Sequence, residues 1–153
     1  MSSGDMSRTR LRAWLTAGIW LLAGTGFGVT FFAGGGPEGL PDDPLRHLAG
    51  AGAVAFGFLG QWAGFWTTRQ RKGEPPVMDE RDIQITAHAN QTALIVVLVG
   101  VFVLTIGLWT NYEAEGFVPV GWLWFLAYGS VIVASVTSAV ATLVLDRRMS
   151  DNG

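Results

Sequence analysis

Few residues in this chain could do chemistry. His47 and His88 are its only histidines, and it has no cysteine. Without cysteine there is no thiolate, disulfide or iron–sulfur ligation to consider, and two histidines 41 positions apart do not make a zinc ligand set. Tyr128-Gly129-Ser130 offers a hydroxyl, but hydrolysis needs a base facing it, and no histidine is expected at that depth. The run Gly24-Thr25-Gly26-Phe27-Gly28 has the glycine spacing of a dinucleotide loop. No strand precedes it and no βαβ unit could surround it, so a nucleotide site is rejected. No catalytic residue, metal or cofactor is expected, and the chain is read as non-enzymatic.

The richest polar cluster is Asp79-Glu80-Arg81-Asp82, followed by Gln84, Thr86, His88, Asn90, Gln91 and Thr92. Asp79 is a suitable N-cap, and acids in a first turn favour the positive end of the helix dipole. At helical spacing Asp82, Thr86 and Asn90 share one flank, and Gln84, His88, Gln91 and Thr92 another. The six residues Asp79, Glu80, Arg81, Asp82, Gln84 and His88 are the candidate docking site for a partner.

The elements that position this cluster follow from where charge is absent. The 22 Asp, Glu, Lys and Arg residues leave four charge-free stretches, 13–37, 47–68, 83–112 and 116–145. A hydrocarbon core about 30 Å thick needs roughly 20 helical residues to cross, and a soluble helix must show water a polar face. The expectation is a single domain over 1–153: an all-α, integral membrane four-helix bundle. Its helices are expected at about 11–33, 45–68, 79–112 and 119–145, packed as two antiparallel hairpins because short connections join sequence neighbours. The outer loops are 34–44 and 110–118, and the inner loop is 69–78. The apolar run Ala13–Ala33 is longer than the roughly 7–15 residues of a signal core and lacks an Ala-x-Ala site, so it is expected to be retained.

Lys and Arg number three in 1–12, one in 34–46, four in 69–82, none in 110–119 and two after the last helix. Basic residues near span ends stay cytoplasmic, so both termini and the 69–78 loop are expected inside a cytoplasmic (inner) membrane. His47 and His88 then stand at opposite faces of the bilayer and cannot share a haem iron. None of the four cores holds an Asp, Glu, Lys or Arg, whereas coupled transport usually shows such a residue within a span and the small multidrug antiporters depend on a carboxylate there. Trp14, Trp20, Trp62, Trp66, Trp109, Tyr112, Trp122 and Trp124 read as interfacial anchors. A helix from Asp79 to Tyr112 would be about 50 Å long, so its first turns stand at or beyond the cytoplasmic surface.

Small residues mark the packing faces, since lipid offers no hydrophobic drive between helices. The candidates are Gly24 and Gly28 on the first helix, and Ala49, Ala53, Gly57, Gly60 and Gly64 on the second. On the fourth they are Ala127, Ser130, Ala134, Ser138 and Ala141. Packing within one chain is expected ahead of a homo-oligomer. The net charge of −2 gives no basic footprint for nucleic acid.

The Asp79-Glu80-Arg81-Asp82 cluster, with Ile83 and a long apolar helix after it, resembles an uncharacterised bacterial family of small integral membrane proteins. In that family an Asp-Glu-Arg motif heads a helix entering the membrane; the likeness spans about residues 45–145. Some members look like partners of small helix-turn-helix regulators, which implies a tethering or sensing role. Three readings stay open. In the first, the protein is an interaction or regulatory module whose cytoplasmic segment 69–92 docks a cytosolic protein. In the second, copies assemble into a pore or carrier lined by helix 4 hydroxyls. In the third, the charged segment only caps a helix, with Arg69, Arg71 and Lys72 meeting anionic lipid of the bilayer. The orientation has a direct check: a tag at Met1 stays unreachable from outside intact cells, and labelling it from outside overturns the topology.

Overall fold

A computed structural model describes residues 8–33, 35–40, 42–68 and 80–151. Among these residues the secondary structure is four helices, α1 (Arg8–Phe32), α2 (Pro44–Thr67), α3 (Glu80–Tyr112) and α4 (Gly121–Asp151). All four are long and apolar enough to cross a membrane. The proposed N-cap Asp79 and the loop 69–78 lie outside the described residues.

Local chemistry sets the helix ends. The Asp43 carboxylate accepts from the Leu45 and Arg46 amides, both at 3.1 Å, and Pro44 opens the first turn of α2. That pairing satisfies two amides with no intrahelical partner, and proline loses nothing there. α1 gives way to Gly35 and Gly36, both in the left-handed region that a side chain disfavours. Gly116, also left-handed, donates its amide to the Tyr112 carbonyl at 3.1 Å and closes α3. α4 runs past the expected end at Leu145 through Asp146, Arg147 and Arg148 to Asp151, and Arg81 of α3 bonds its last turns (below).

α1 and α4 are the two inner helices. α1 packs on α2 and on α4, while α3 packs on α4; no comparable contact joins α2 to α3. The bundle is therefore open along the α2–α3 side. Arg12 meets Thr68, Trp20 meets Gln61 and Thr30 meets Arg46, so α1 and α2 run in opposite directions. The buried stripe of α1 is Ala13, Ala17, Trp20, Ala23, Phe27 and Phe31. Phe27 and Phe31 continue into an aromatic cluster with Phe125 and Tyr128 of α4, with ring centroids 4.8–6.0 Å apart.

Trp20 corrects the expectation of a lipid anchor. It is fully buried, its ring filling the space left by Gly57, where an added Cβ would lie 2.7 Å from the indole. Its Nε1 donates to Gln61 Oε1 at 2.7 Å, so the one polar atom of the ring is satisfied. Gly60 likewise receives Ile19, and Gly24 receives Ile132 of α4, each leaving 2.8 Å for a Cβ. Ala53 sits beside Gly26, and Ala134 is half-buried on α4. Gly28 and Gly64 face open space, and Ala49 and Ala127 are exposed. The α2 stripe turns instead through Gly50, which lies against Phe27 and Thr30.

Little of the apolar surface is used internally. Between 11% and 28% of each span is buried, and Leu22, Leu45, Phe102 and Trp109 are each about two-thirds exposed or more. Soluble monomers rarely expose contiguous patches beyond a few hundred Å², so lipid is the solvent that fits this surface. The protein has the architecture of a multi-pass membrane protein. Gly57→Leu should destabilise it by about 1–3 kcal/mol through overpacking against Trp20, read as a lowered melting temperature in detergent. Gly28→Leu, with nothing to meet, should leave the melting temperature within error; equal effects would overturn the notch.

Candidate functional site

The head of α3 is fixed by a narrow apolar stripe. Ile85 and Ala89 are fully buried and Ala93 nearly so, at the i, i+4, i+8 spacing that keeps one helix face in contact. Glu80 and Asp82 stand in the first turn, at the positive end of the dipole. Beside the stripe, Thr86 Oγ1 donates to the Asp82 carbonyl at 2.8 Å. One turn further, Ser138 of α4 donates to Asn90 Oδ1 at 2.7 Å. That bond joins the two helices where the chain turns from polar to apolar.

Arg81 ties the head of α3 to the tail of α4. Its Nη2 donates to the Asp146 carbonyl and to Ser150 Oγ, both at 3.1 Å, and lies 3.7 Å from Asp146 Oδ1. With Arg81 43% exposed, solvent screens the charge term, and such pairs contribute at most about 1 kcal/mol. The packing of Ile85 and Ala89 holds the helices together; Arg81 sets their register.

These contacts divide the expected docking residues. Glu80, Gln84 and His88 form one exposed face, continued by Gln91. Arg81 is exposed but engaged with α4, Asp82 is half-buried, and Asp79 lies outside the described residues. His88 Nδ1 is 2.8 Å from the Gln84 carbonyl. A carbonyl only accepts, so Nδ1 carries the proton there.

At the opposite end lies a site that the sequence does not announce. Arg46 reads there as the single basic residue of the outer segments, yet its guanidinium donates to the Thr30, Phe31 and Gly36 carbonyls at 3.1, 2.8 and 3.3 Å. It caps the C-terminus of α1, where unpaired carbonyls and the dipole favour a cation. His47 tilts against Trp124 at 5.2 Å, and its Nε2 is buried with no hydrogen-bond partner among the described residues. His47 and Tyr128 line one small cavity, which corrects the expectation of no histidine at that depth. Ser130 lies on the other side of α4. Trp122, expected as an anchor, donates through Nε1 to Tyr112 Oη at 3.2 Å, and Tyr112 reaches Glu38 at 3.3 Å. The aromatic spacings Phe27/Phe31 and Phe125/Tyr128 are the legible signal for this end.

A cavity of about 200 Å³ opens between α3 and α4, where Gly100 and Gly129 remove side chains and Val96, Leu104 and Phe125 supply an apolar wall. Ser130 borders it but donates to the Ala127 carbonyl at 2.9 Å, and Thr142 donates to the Ser138 carbonyl at 2.8 Å. Among the described residues no group of three His, Cys, Asp or Glu side chains could hold a metal. No protein-family model, curated protein or solved structure matches the chain.

Arg81→Ala should release the last turns of α4. Amide exchange around Asp146–Ser150 should rise several-fold in the purified protein while exchange at Ile85 and Ala89 stays slow. Unchanged exchange at Asp146–Ser150 would show that the clamp holds nothing.

Proposed function

We propose that the protein is a non-enzymatic interaction or regulatory module of a cytoplasmic (inner) membrane. It is laid across the bilayer as two antiparallel hairpins with both termini and the 69–78 loop inside. The observation that carries the reading is the exposed face of Glu80, Gln84 and His88 on a helix end fixed from behind by Ile85 and Ala89. A helix that only needed capping has no use for such a polar face over three turns, and a pre-ordered face costs a partner little ordering entropy on docking.

Length supports the same placement. α3 has 33 residues and α4 has 31, about 50 and 46 Å at 1.5 Å per residue, against a hydrocarbon core of about 30 Å. Their joined ends, with the Arg81 clamp, then stand in water together. The nine-to-one distribution of Lys and Arg among alternating segments supports an inside position for those ends. The resemblance of the Asp79-Glu80-Arg81-Asp82 motif to an uncharacterised family, some members of which look like partners of small regulators, agrees with this. The pore or carrier alternative draws less support, because the α4 hydroxyls of Ser130, Ser138 and Thr142 are already bonded within the protein.

The test is a photocrosslinking residue at Gln84 in native membranes. The expected result is an adduct with one cytosolic protein that disappears in a Glu80→Ala/His88→Ala variant still retained in the membrane fraction. Adducts only with further copies of this chain would overturn the docking reading and favour the assembly one.

A further inference from the structure

A second polar site lies between α1 and the C-terminal half of α2, remote from the face of α3. A cavity of about 160 Å³ there is lined by Arg12, Thr16, Gln61 and Gly64, with Leu15 and Phe65 as apolar walls. It exists because Gly64 has no side chain: a Cβ added at that position would meet nothing within 4 Å. Among the described residues no acid borders it.

The hydrogen-bonding inventory of this cavity is one-sided. Arg12 donates through Nε to Thr68 Oγ1 and through Nη2 to the Thr68 carbonyl at 2.7 Å, and its guanidinium lies 5.4 Å over the Phe65 ring. A guanidinium has five N–H donors, so three are left after these two bonds. Gln61 spends its carbonyl oxygen on Trp20, and its amide hydrogens meet no acceptor among the described residues. Thr25, Thr30, Thr86, Thr92, Thr105 and Thr142 each donate to a carbonyl of the preceding turn. Thr16 donates to none among the described residues. The carbonyl of Gly64, a residue of the cavity wall, already receives Thr67 and Thr68. The cavity thus offers donors at three levels and little to accept from a ligand.

Depth matches a particular molecule. Arg12 stands opposite Thr68 at the end of α2, Thr16 is one turn deeper, and Gln61 is about 10 Å deeper along α2. Trp14, Trp62 and Trp66 are each more than half exposed around this end, and such rings settle at headgroup level. A donor left unpaired beyond that level costs free energy in hydrocarbon. We propose that this cavity binds one anionic phospholipid, its phosphodiester at Arg12 and its ester carbonyls at Thr16 and Gln61, with an acyl chain along Leu15 and Ile19. The phosphodiester and ester oxygens are acceptor-only where the site is donor-rich, and the charge answers a guanidinium beside which, among the described residues, no carboxylate borders the cavity. The site rests on the bilayer placement and is independent of the α3 docking surface.

The experiment is native mass spectrometry of the full chain in detergent, titrated with phosphatidylglycerol or phosphatidylcholine. The expected result is one tightly retained phosphatidylglycerol, weakened about tenfold by Arg12→Gln, the scale of losing a hydrogen bond to a charged group. Gly64→Leu fills the cavity without touching a charge and should abolish the preference at an unchanged melting temperature. Glu80→Ala/His88→Ala should retain the lipid normally, which separates this site from the docking reading. Equal retention of the two lipids, or undiminished phosphatidylglycerol binding in Gly64→Leu, would overturn the proposal. So would inorganic phosphate alone raising the melting temperature as much as the lipid does, since that would make the ligand a soluble anion.

Discussion

The Trp20 ring set into the gap at Gly57 is the contact from which the rest of the packing follows. In lipid no hydrophobic force draws helices together, so association depends on shape and on bonds between polar groups. Trp20 supplies both: its ring fills a volume that any side chain at position 57 would occupy, and its N–H finds Gln61. With α2 held on one side, α1 turns Phe27 and Phe31 toward α4, and Gly24 lets Ile132 approach. α4 in turn carries α3. The chain of contacts runs α2–α1–α4–α3, which leaves the two outer helices with broad apolar faces toward lipid.

Polar groups within this scaffold sort by where they find partners. Threonine and serine hydroxyls of the spans mostly return to the carbonyl of the preceding turn, which removes them from any path or site. The exceptions mark places where helices meet or a ligand fits. Ser138 bridges to Asn90, Arg46 and Arg12 reach across to another helix, and Thr16 and Gln61 line a common cavity. At the far end of the molecule, His47 is held among aromatic rings with Nε2 unpaired among the described residues.

Much of the architecture is legible in the amino-acid sequence, and the places where the sequence misleads share a cause. Charge-free stretches locate the four helices because a charge in hydrocarbon is costly wherever it falls in the fold. Asp43-Pro44 and the Gly34-Gly35-Gly36 run mark ends by local chemistry. Burial is less legible. Trp20 has the type of an interfacial anchor, and only its neighbours show that it is the core. Ala49 and Gly50 differ by one position, so a stripe read from small residues alone settles on the wrong one. Gly28 and Gly64 fit a packing pattern and face open space, because a glycine signals that an approach is allowed without saying that one occurs. The docking cluster splits for the same reason: Arg81 and Glu80 are adjacent in sequence, but a helix turns them about 100° apart, one onto α4 and the other to the surface.

Composition and spacing by themselves determined that this chain forms four apolar helices and that no cysteine chemistry is available to it. Those properties depend on each residue's own transfer free energy and on the reach of a helix, both additive along the chain. Only the tertiary structure decided that α1 and α4 are the inner helices and that Trp20 is buried. It also decided that Arg46 caps α1, and that Arg12, Thr16 and Gln61 surround one cavity. These outcomes depend on which surfaces meet, and that is fixed by volumes and donor–acceptor pairs contributed from distant segments.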